Sequence, residues 1–463
     1  MIPIHNIQKA LAAALSGGGD FAEIFLEDSL SNNLSMVGGR IDSATTDRLH
    51  GAGIRIYKDL GSVYVHTSRT DLSGLLRAAK QAADAVGRAK ETQGAITIAD
   101  TPVCCEQIPV RRAPSDIAHT RKREYLAMAH AAAKGMGDAV AQVRCILGDK
   151  VQKVWVYNSK GLHAHEVRTR TRFVVHVVAS NGHENQTGLE TAGRLGGYEL
   201  FDRIDPEVLG RDAARRALTM LEAGLCPAGE MPVVIAGGFG GVIFHEACGH
   251  SLEATSVALG NSEFCGKLGL SIASPLVTAI DDGTIPGAWG SIAMDDEGTP
   301  AGRLVLIEQG VLKNYMVDRL NGRRMDMPVT GSARRQSYAC APTSRMRNTY
   351  IAPGDSDVAE MISTMGDGLY AKRMGGGSVN PVTGEFNFSV SEGYLVRDGK
   401  IAKPVRGATL VGSGAKVLER IDRVGKDLSL ADGICGSISG AVPVCVGQPT
   451  IRVSSMTVGG LEG

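Results

Sequence analysis

The stretch from Pro232 to His250 restricts the fold more than any other part of the chain. An apolar strand-like run, Pro232 to Ala236, enters Gly237-Gly238-Phe239-Gly240-Gly241 and leaves as Val242-Ile243-Phe244-His245-Glu246-Ala247-Cys248-Gly249-His250. Such a glycine run lets a strand turn sharply into a helix and lets backbones approach closely. It fits neither the GxGxxG nor the GxxxxGK[ST] pattern, which disfavours a phosphate cradle. Two histidines flank a glutamate. On a regular helix an i, i+4 pair is offset by about 40° and can grip one ion, but an i, i+5 pair is offset by roughly 140°. His245 and His250 therefore meet at one metal only where the turn is wound wide or broken, and Gly249 is placed to permit that. The other reading makes them core or capping histidines beside a solvated Glu246.

Glycine accounts for 59 of 463 residues and aromatics for only 5%, which predicts many tight turns and a partly β architecture. Forty-nine basic side chains balance 49 acidic ones, so no net field favours nucleic acid or an anionic membrane. Nine cysteines, mostly scattered singly, match neither a disulfide framework nor CxxC knuckles, and point to a reducing compartment. No apolar run approaches the roughly 18 residues needed to cross a bilayer. A cytoplasmic protein is expected.

The pattern along the chain predicts an α+β protein of two domains. The first, residues 1–225, is mixed α/β with antiparallel strands. A helix precedes Gly17, strands start at Phe21 and Gly53, and Lys58-Asp59-Leu60-Gly61 marks a hairpin. Helices are expected at 71–86, at 115–134 behind Pro114-Ser115-Asp116, and from Asp205-Pro206-Glu207 to a stop at Gly224. Strands fill 151–180. Cys226-Pro227-Ala228-Gly229-Glu230 has linker composition, and residues 226–463 form a strand-rich, glycine-rich domain carrying the helix of the two histidines.

The segment FHEACGHSLEA resembles the signature of the TldD/PmbA family of metallopeptidases, in its TldD-like subunit. DDGTIPGAWGSIAMDDEGTP from Asp281, RRQSYACAPTSRMRNTYI from Arg334, GGGSVNPVTGEFNFSVSEGYLV from Gly375, KPVRGATLVGSG from Lys403 and ICGSISGAVPVCVGQPTIRVSSMTVGG from Ile434 look like successive blocks of that family. The resemblance implies that His245, His250 and Cys435 hold a Zn2+ ion and that Glu246 is the general base. Cys445 and Cys248 are alternative thiols, and Glu253 is an alternative third ligand or an orienting partner of a histidine. It further implies a zinc-dependent peptidase acting on peptides or unfolded proteins, in a dimer with a PmbA/TldE-like partner subunit or with itself. In that pair the site is enclosed, and the N-terminal domain is expected to supply dimer contacts and a wall of the substrate channel. An extended peptide adding to an open sheet edge is one way such a substrate would be held. The alternatives are a noncatalytic regulator of the gyrase-modulator type with a structural metal site, and a hydrolase of small amides.

Other polar groups have blander readings. His163 and His165 are two apart in a strand, a polar strand face more than a metal pair. Arg168, Arg170 and Arg172 alternate as a solvated face or subunit contact, and Arg121, Lys122 and Arg123 read as the wet side of a helix. Glu263 lies farther along from the histidines than Glu253.

Overall fold

The computed structural model describes residues 2–87, 96–99, 103–104, 109–380 and 382–460. Its first half is one seven-stranded sheet made of β1 (Phe21–Val37), β2 (Arg40–Lys58), β3 (Gly61–Thr67), β4 (Val103–Cys104), β5 (Val140–Asn158), β6 (His163–Ser180) and β7 (Asn185–Leu195). The order is β3-β2-β1-β5-β6, with β4 and β7 both on β6, and every pairing but that of β4 is antiparallel.

Because successive strand residues face opposite sides, β1 sorts its side chains between two environments. Ala22, Ile24 and Leu26 pack with Ile7 and Leu11 of α1 (Ile4–Leu15) and Leu75 of α2 (Leu72–Val86). Phe25 faces the other way, with Val154, Val156 and Ala164 of its own sheet, onto Met294 of the second half. Toward the far end of the sheet, α3 (His119–Lys134) and α4 (Pro206–Glu222) cover Val143, Phe173 and Val175. Asp71 and Asp205 cap α2 and α4 through their side chains.

Three local expectations shift. Pro114–Asp116 is a separate 3-10 turn, and α3 starts only at His119. Helix α4 ends at Glu222, with Ala223 extended and Gly224 already in a short strand, β8 (Gly224–Leu225). Strands β1 and β2 form a far longer hairpin than expected, with Arg40–His50 exposed. That arm is exposed on both faces, with Ile41 and Leu49 its large apolar side chains, so it carries no sustained alternation to announce it.

In the second half, β9 (Gly229–Ile235) belongs to a ring of strands. Strand 368–379 pairs with β9 and with 385–397; β9 pairs with 451–459, which pairs with 409–413, which returns to 385–397. Five strands thus close into a small barrel filled by Val233, Ile235, Leu369, Phe388, Leu410 and Val453. A separate six-stranded sheet ends in the hairpin Ser429–Ser437 and Gly440–Gln448, with Ser429–Ser437 at its edge.

Buried charges fasten the two halves together. Arg168 is 5% exposed, and its guanidinium holds Glu166 at 2.9 Å and Asp296 at 2.7 Å. Arg170 donates to the carbonyls of Trp289 and Ser291, and Arg172 to Asp432. Arg55 meets Glu297 at 3.2 Å, and Arg335 meets Glu23 at 3.5 Å. The alternating arginines are therefore neither a solvated face nor a subunit contact; they grip the second half of their own chain. Lys122 is likewise buried, on Asp149 at 2.8 Å, while Arg121 and Arg123 stay exposed.

Removing one partner of a buried pair strands the other charge, which costs roughly 3–5 kcal/mol. Arg168→Met is therefore expected to lower stability in urea unfolding by about that amount, whereas Arg121→Met on the exposed face should shift it by less than about 0.5 kcal/mol.

Candidate metal centre

Strand β9 delivers the chain to the site. The backbone of 237–241 lies directly on the Gly440–Gln448 strand, and a Cβ on Gly241 would stand 2.5 Å from the Gly447 carbonyl oxygen. Only glycine allows that approach, and it seats the helical segment against the hairpin that bears Cys435. From Gly238 to Leu252 the backbone stays helical while its hydrogen-bond spacing changes, from a 3-10 turn through Val242–Phe244 to a π turn at His245–Gly249 and a last 3-10 turn. The His250 N–H donates to the His245 carbonyl, an i→i+5 bond. This wide turn brings the two imidazoles to one side, with ring centroids 5.2 Å apart and planes at 84°. Gly249 permits it: a Cβ there would lie 2.2 Å from Met346 Sδ.

Cys435 arrives from 185 residues away, with its Sγ 3.3 Å from His250 Nε2. In the hairpin it pairs with Val442, while Cys445 pairs with Asp432. Those two pairs lie three residues apart, an odd offset, so the thiols point to opposite faces. Cys445 faces away and its thiol is pushed up to about 11 by burial. Cys248 is buried, with burial raising its thiol well above the ordinary value, and it stands outside the cluster. Among the described residues, His245, His250 and Cys435 are the group whose donor atoms could hold a metal, all within 4.8 Å of one another.

The chemistry of the set suits a soft-to-borderline cation. His245 is 2% exposed and its Nδ1 has no hydrogen-bond partner, so a buried donor atom waits for one. Burial alone would raise the Cys435 thiol, but hydrogen bonds from His245 and His250 and their charge outweigh it and bring it down to about 4. The site thus favours thiolate, the form that binds metals. Two imidazoles and one thiolate are nitrogen and sulfur donors of the kind zinc takes, and three of them would leave one position of a tetrahedral ion open, as catalytic sites do.

Glu253 is no member of the cluster. Its Oε2 lies 3.2 Å from His250 Nδ1, which fixes that ring and turns Nε2 toward Cys435. Burial works against charge on His250, but Glu253 and Cys435 more than reverse it and raise its pKa well above the usual value. Glu246 stands beside the cluster with Oε2 3.7 Å from His250 Nε2, its side chain 32% exposed. Glu263 remains apart, its carboxyl pushed up to about 7 by burial. His163 and His165 form no metal pair; they stack on Tyr157 and Trp155 at 4.7 and 4.8 Å. A residue missed in the sequence reading is Arg345, wholly buried behind the cluster. Nothing in a single sequence separates it from other arginines of its block.

Gly249→Val forces a branched side chain against Met346, an overpacking expected to cost about 1–3 kcal/mol in chemical unfolding. Adding Met346→Ala should recover part of that loss, as the two positions share one space.

Three segments match successive models of one family: PmbA/TldA metallopeptidase domain 1 over residues 22–86, the central domain over 112–221 and the C-terminal domain over 228–460. The chain is 35% identical over 455 residues to a Haemophilus influenzae protein named metalloprotease TldD homolog, covering 95% of this chain and 93% of that one. It is 33% identical over 286 residues to a Saccharolobus solfataricus protein named zinc metalloprotease TldD homolog, covering 61% and 63%. Among solved structures, a Thermotoga maritima protein described as a modulator of a DNA gyrase superposes with a TM-score of 0.80 at 20% identity, covering 98% of this chain and 100% of that one. TldE from Thermococcus kodakarensis gives 0.76 at 18% identity, covering 98% and 99%. These two likenesses establish the shared fold, and among the described residues no helix is long and apolar enough to cross a membrane. On the matches along its length, the chain belongs to the TldD/PmbA family of metallopeptidases.

Proposed function

We propose that this chain is a zinc-dependent peptidase of flexible or unfolded peptides, in which His245, His250 and Cys435 hold the ion and Glu246 is the general base. The observation that carries the reading is the convergence of three donors beside a partly exposed carboxylate. A zinc ion there would supply Lewis acidity toward water and the scissile carbonyl. Glu253 keeps the His250 proton on Nδ1, so that Nε2 is free to act as a donor. Glu246 takes the proton of the attacking water on its carboxylate and passes it to the leaving amine nitrogen.

The substrate class follows from where Cys435 sits. Strand Ser429–Ser437 is an edge of its sheet, hydrogen-bonded to Gly440–Gln448 on one side. An extended peptide laid along the free side pairs through its backbone, which gives grip with little sequence preference. Flexible and unfolded segments offer such an extended backbone most readily. The TldE likeness supports an arrangement in which this chain works paired, with a TldE-like chain or a second copy. The N-terminal half then supplies pair contacts and a wall of the substrate channel. A thiolate ligand is prone to oxidation, which suits a reducing compartment, and Cys145, Cys226, Cys248, Cys265, Cys340, Cys435 and Cys445 are all free thiols. The regulator alternative, with a structural metal site, meets three donors and an open carboxylate, whereas structural zinc sites close with four ligands.

Glu246→Gln should keep zinc near the native level by elemental analysis and lose about 10²–10⁴-fold in cleavage of unfolded casein. A Glu246→Gln protein that cleaves at the native rate would remove the residue from the chemistry. Cys435→Ser should lower zinc content and cleavage together, and Cys445→Ser should lower neither. Chelation of the native protein should stop cleavage, and zinc should restore it. Failure of the TldE-paired and unpaired chain alike to cleave any peptide, with zinc bound, would favour the regulator.

A further inference from the structure

The three donors of the cluster come from two segments, a helical turn and an edge hairpin, and something must hold these in register. Arg345 lies between them with no exposed surface. Its Nη2 donates to the Cys435 carbonyl at 2.6 Å. Its Nη1 donates to Ser439 Oγ at 2.9 Å and to the Gly440 carbonyl at 2.7 Å, so one guanidinium spans both strands of the hairpin at its turn. On its other edge, Nε faces Glu253 Oε1 at 3.9 Å. Both of these atoms are buried and have no hydrogen-bond partner. The other oxygen of Glu253 is the one that holds His250 Nδ1.

From this geometry we infer that Arg345 is a positioning residue for the metal centre: its guanidinium ties the backbone of Cys435 to the carboxylate that orients His250. A planar group with donors on two edges suits this task, because the Nη1/Nη2 fork addresses three hairpin acceptors while the Nε edge faces the carboxylate. Glu253 meets His250 Nδ1 through its other oxygen, so the guanidinium and the imidazole face one shared carboxylate. Without the guanidinium, the Cys435 carbonyl and the Glu253 carboxylate lose their buried cation together. The thiol and the imidazole are then no longer fixed with respect to one another.

The inference rests on the ligand assignment proposed above, and the test separates the two. Cobalt(II) is titrated into the full chain, followed by the thiolate-to-cobalt charge-transfer absorption in the near ultraviolet and by the cobalt dissociation constant, with thermal unfolding in parallel. Arg347→Met is the control. Arg347 is equally buried two residues away, but it serves Asp281 at 2.7 Å and touches no donor of the cluster. Arg345→Met should weaken cobalt binding by about 10–100-fold and diminish the thiolate band, the size seen for groups that orient metal ligands. Arg345→Lys keeps the charge without the fork and should bind between the two. Arg347→Met should lower the melting temperature and leave affinity and band native. If Arg345→Met fails to fold, the lysine variant carries the test by the same criterion. Native affinity and a native band in a folded Arg345 variant overturn the inference, and so does an equal loss in Arg347→Met. A native chain that binds cobalt with no thiolate band overturns the assignment of Cys435 itself, and the inference falls with it.

Discussion

A helix repeats every 3.6 residues, and two side chains five apart on it look in different directions. The centre of this protein depends on breaking that rule over one turn. The π turn from His245 to Gly249 brings the edge of one imidazole to the face of the other, and it survives because its surroundings hold it. Phe244, Ala247 and Cys248 are packed into the main core of the second half, the glycine run lies flush on the last hairpin, and Met346 fills the space that Gly249 leaves. A wide turn is a poor helix by itself. Here tertiary packing outweighs the local preference, as it commonly does where backbone geometry serves a site.

The same logic of one part constraining another runs through the seam between halves. β1, β2 and β6 each show one face to helices and the other to the second half, and the second face is built of charges as well as hydrophobes. Burying an arginine with a carboxylate adds little net stability compared with an apolar pair of the same shape, but leaving either alone is expensive. Such a seam tolerates one docking geometry and penalises slippage. The hairpin of Cys435 takes part in it, since Asp432 on its outer face receives Arg172 and Thr191 from the N-terminal sheet.

The sequence was legible where local rules apply and opaque where distant residues decide. The strand, glycines and helix of 232–250 announce themselves, and the offset of five forces a choice between a wound-out turn and no shared site. The choice of Cys435 over Cys445 rested on the resemblance, because spacing does not give the hairpin register that puts the two thiols on opposite faces. Arg168, Arg170 and Arg172 were misread because their partners Asp296, Trp289 and Asp432 lie more than a hundred residues onward. The closed barrel escaped for the same reason, as its pairings link strands at opposite ends of the second half.

That barrel has a consequence for the order of events in making the protein. Strand β9, which launches the histidine turn, is hydrogen-bonded along one side to the final strand, with Val233 opposite Val453. The glycine run beneath the histidines leans on the strand that ends at Gln448. A nascent chain that has displayed both histidines therefore lacks the thiol, the backing strand and the barrel wall until Cys435, Gly440–Gln448 and Ile451–Gly459 have emerged. Convergence of the two imidazoles and the thiol thus waits for strands made long after the histidines themselves.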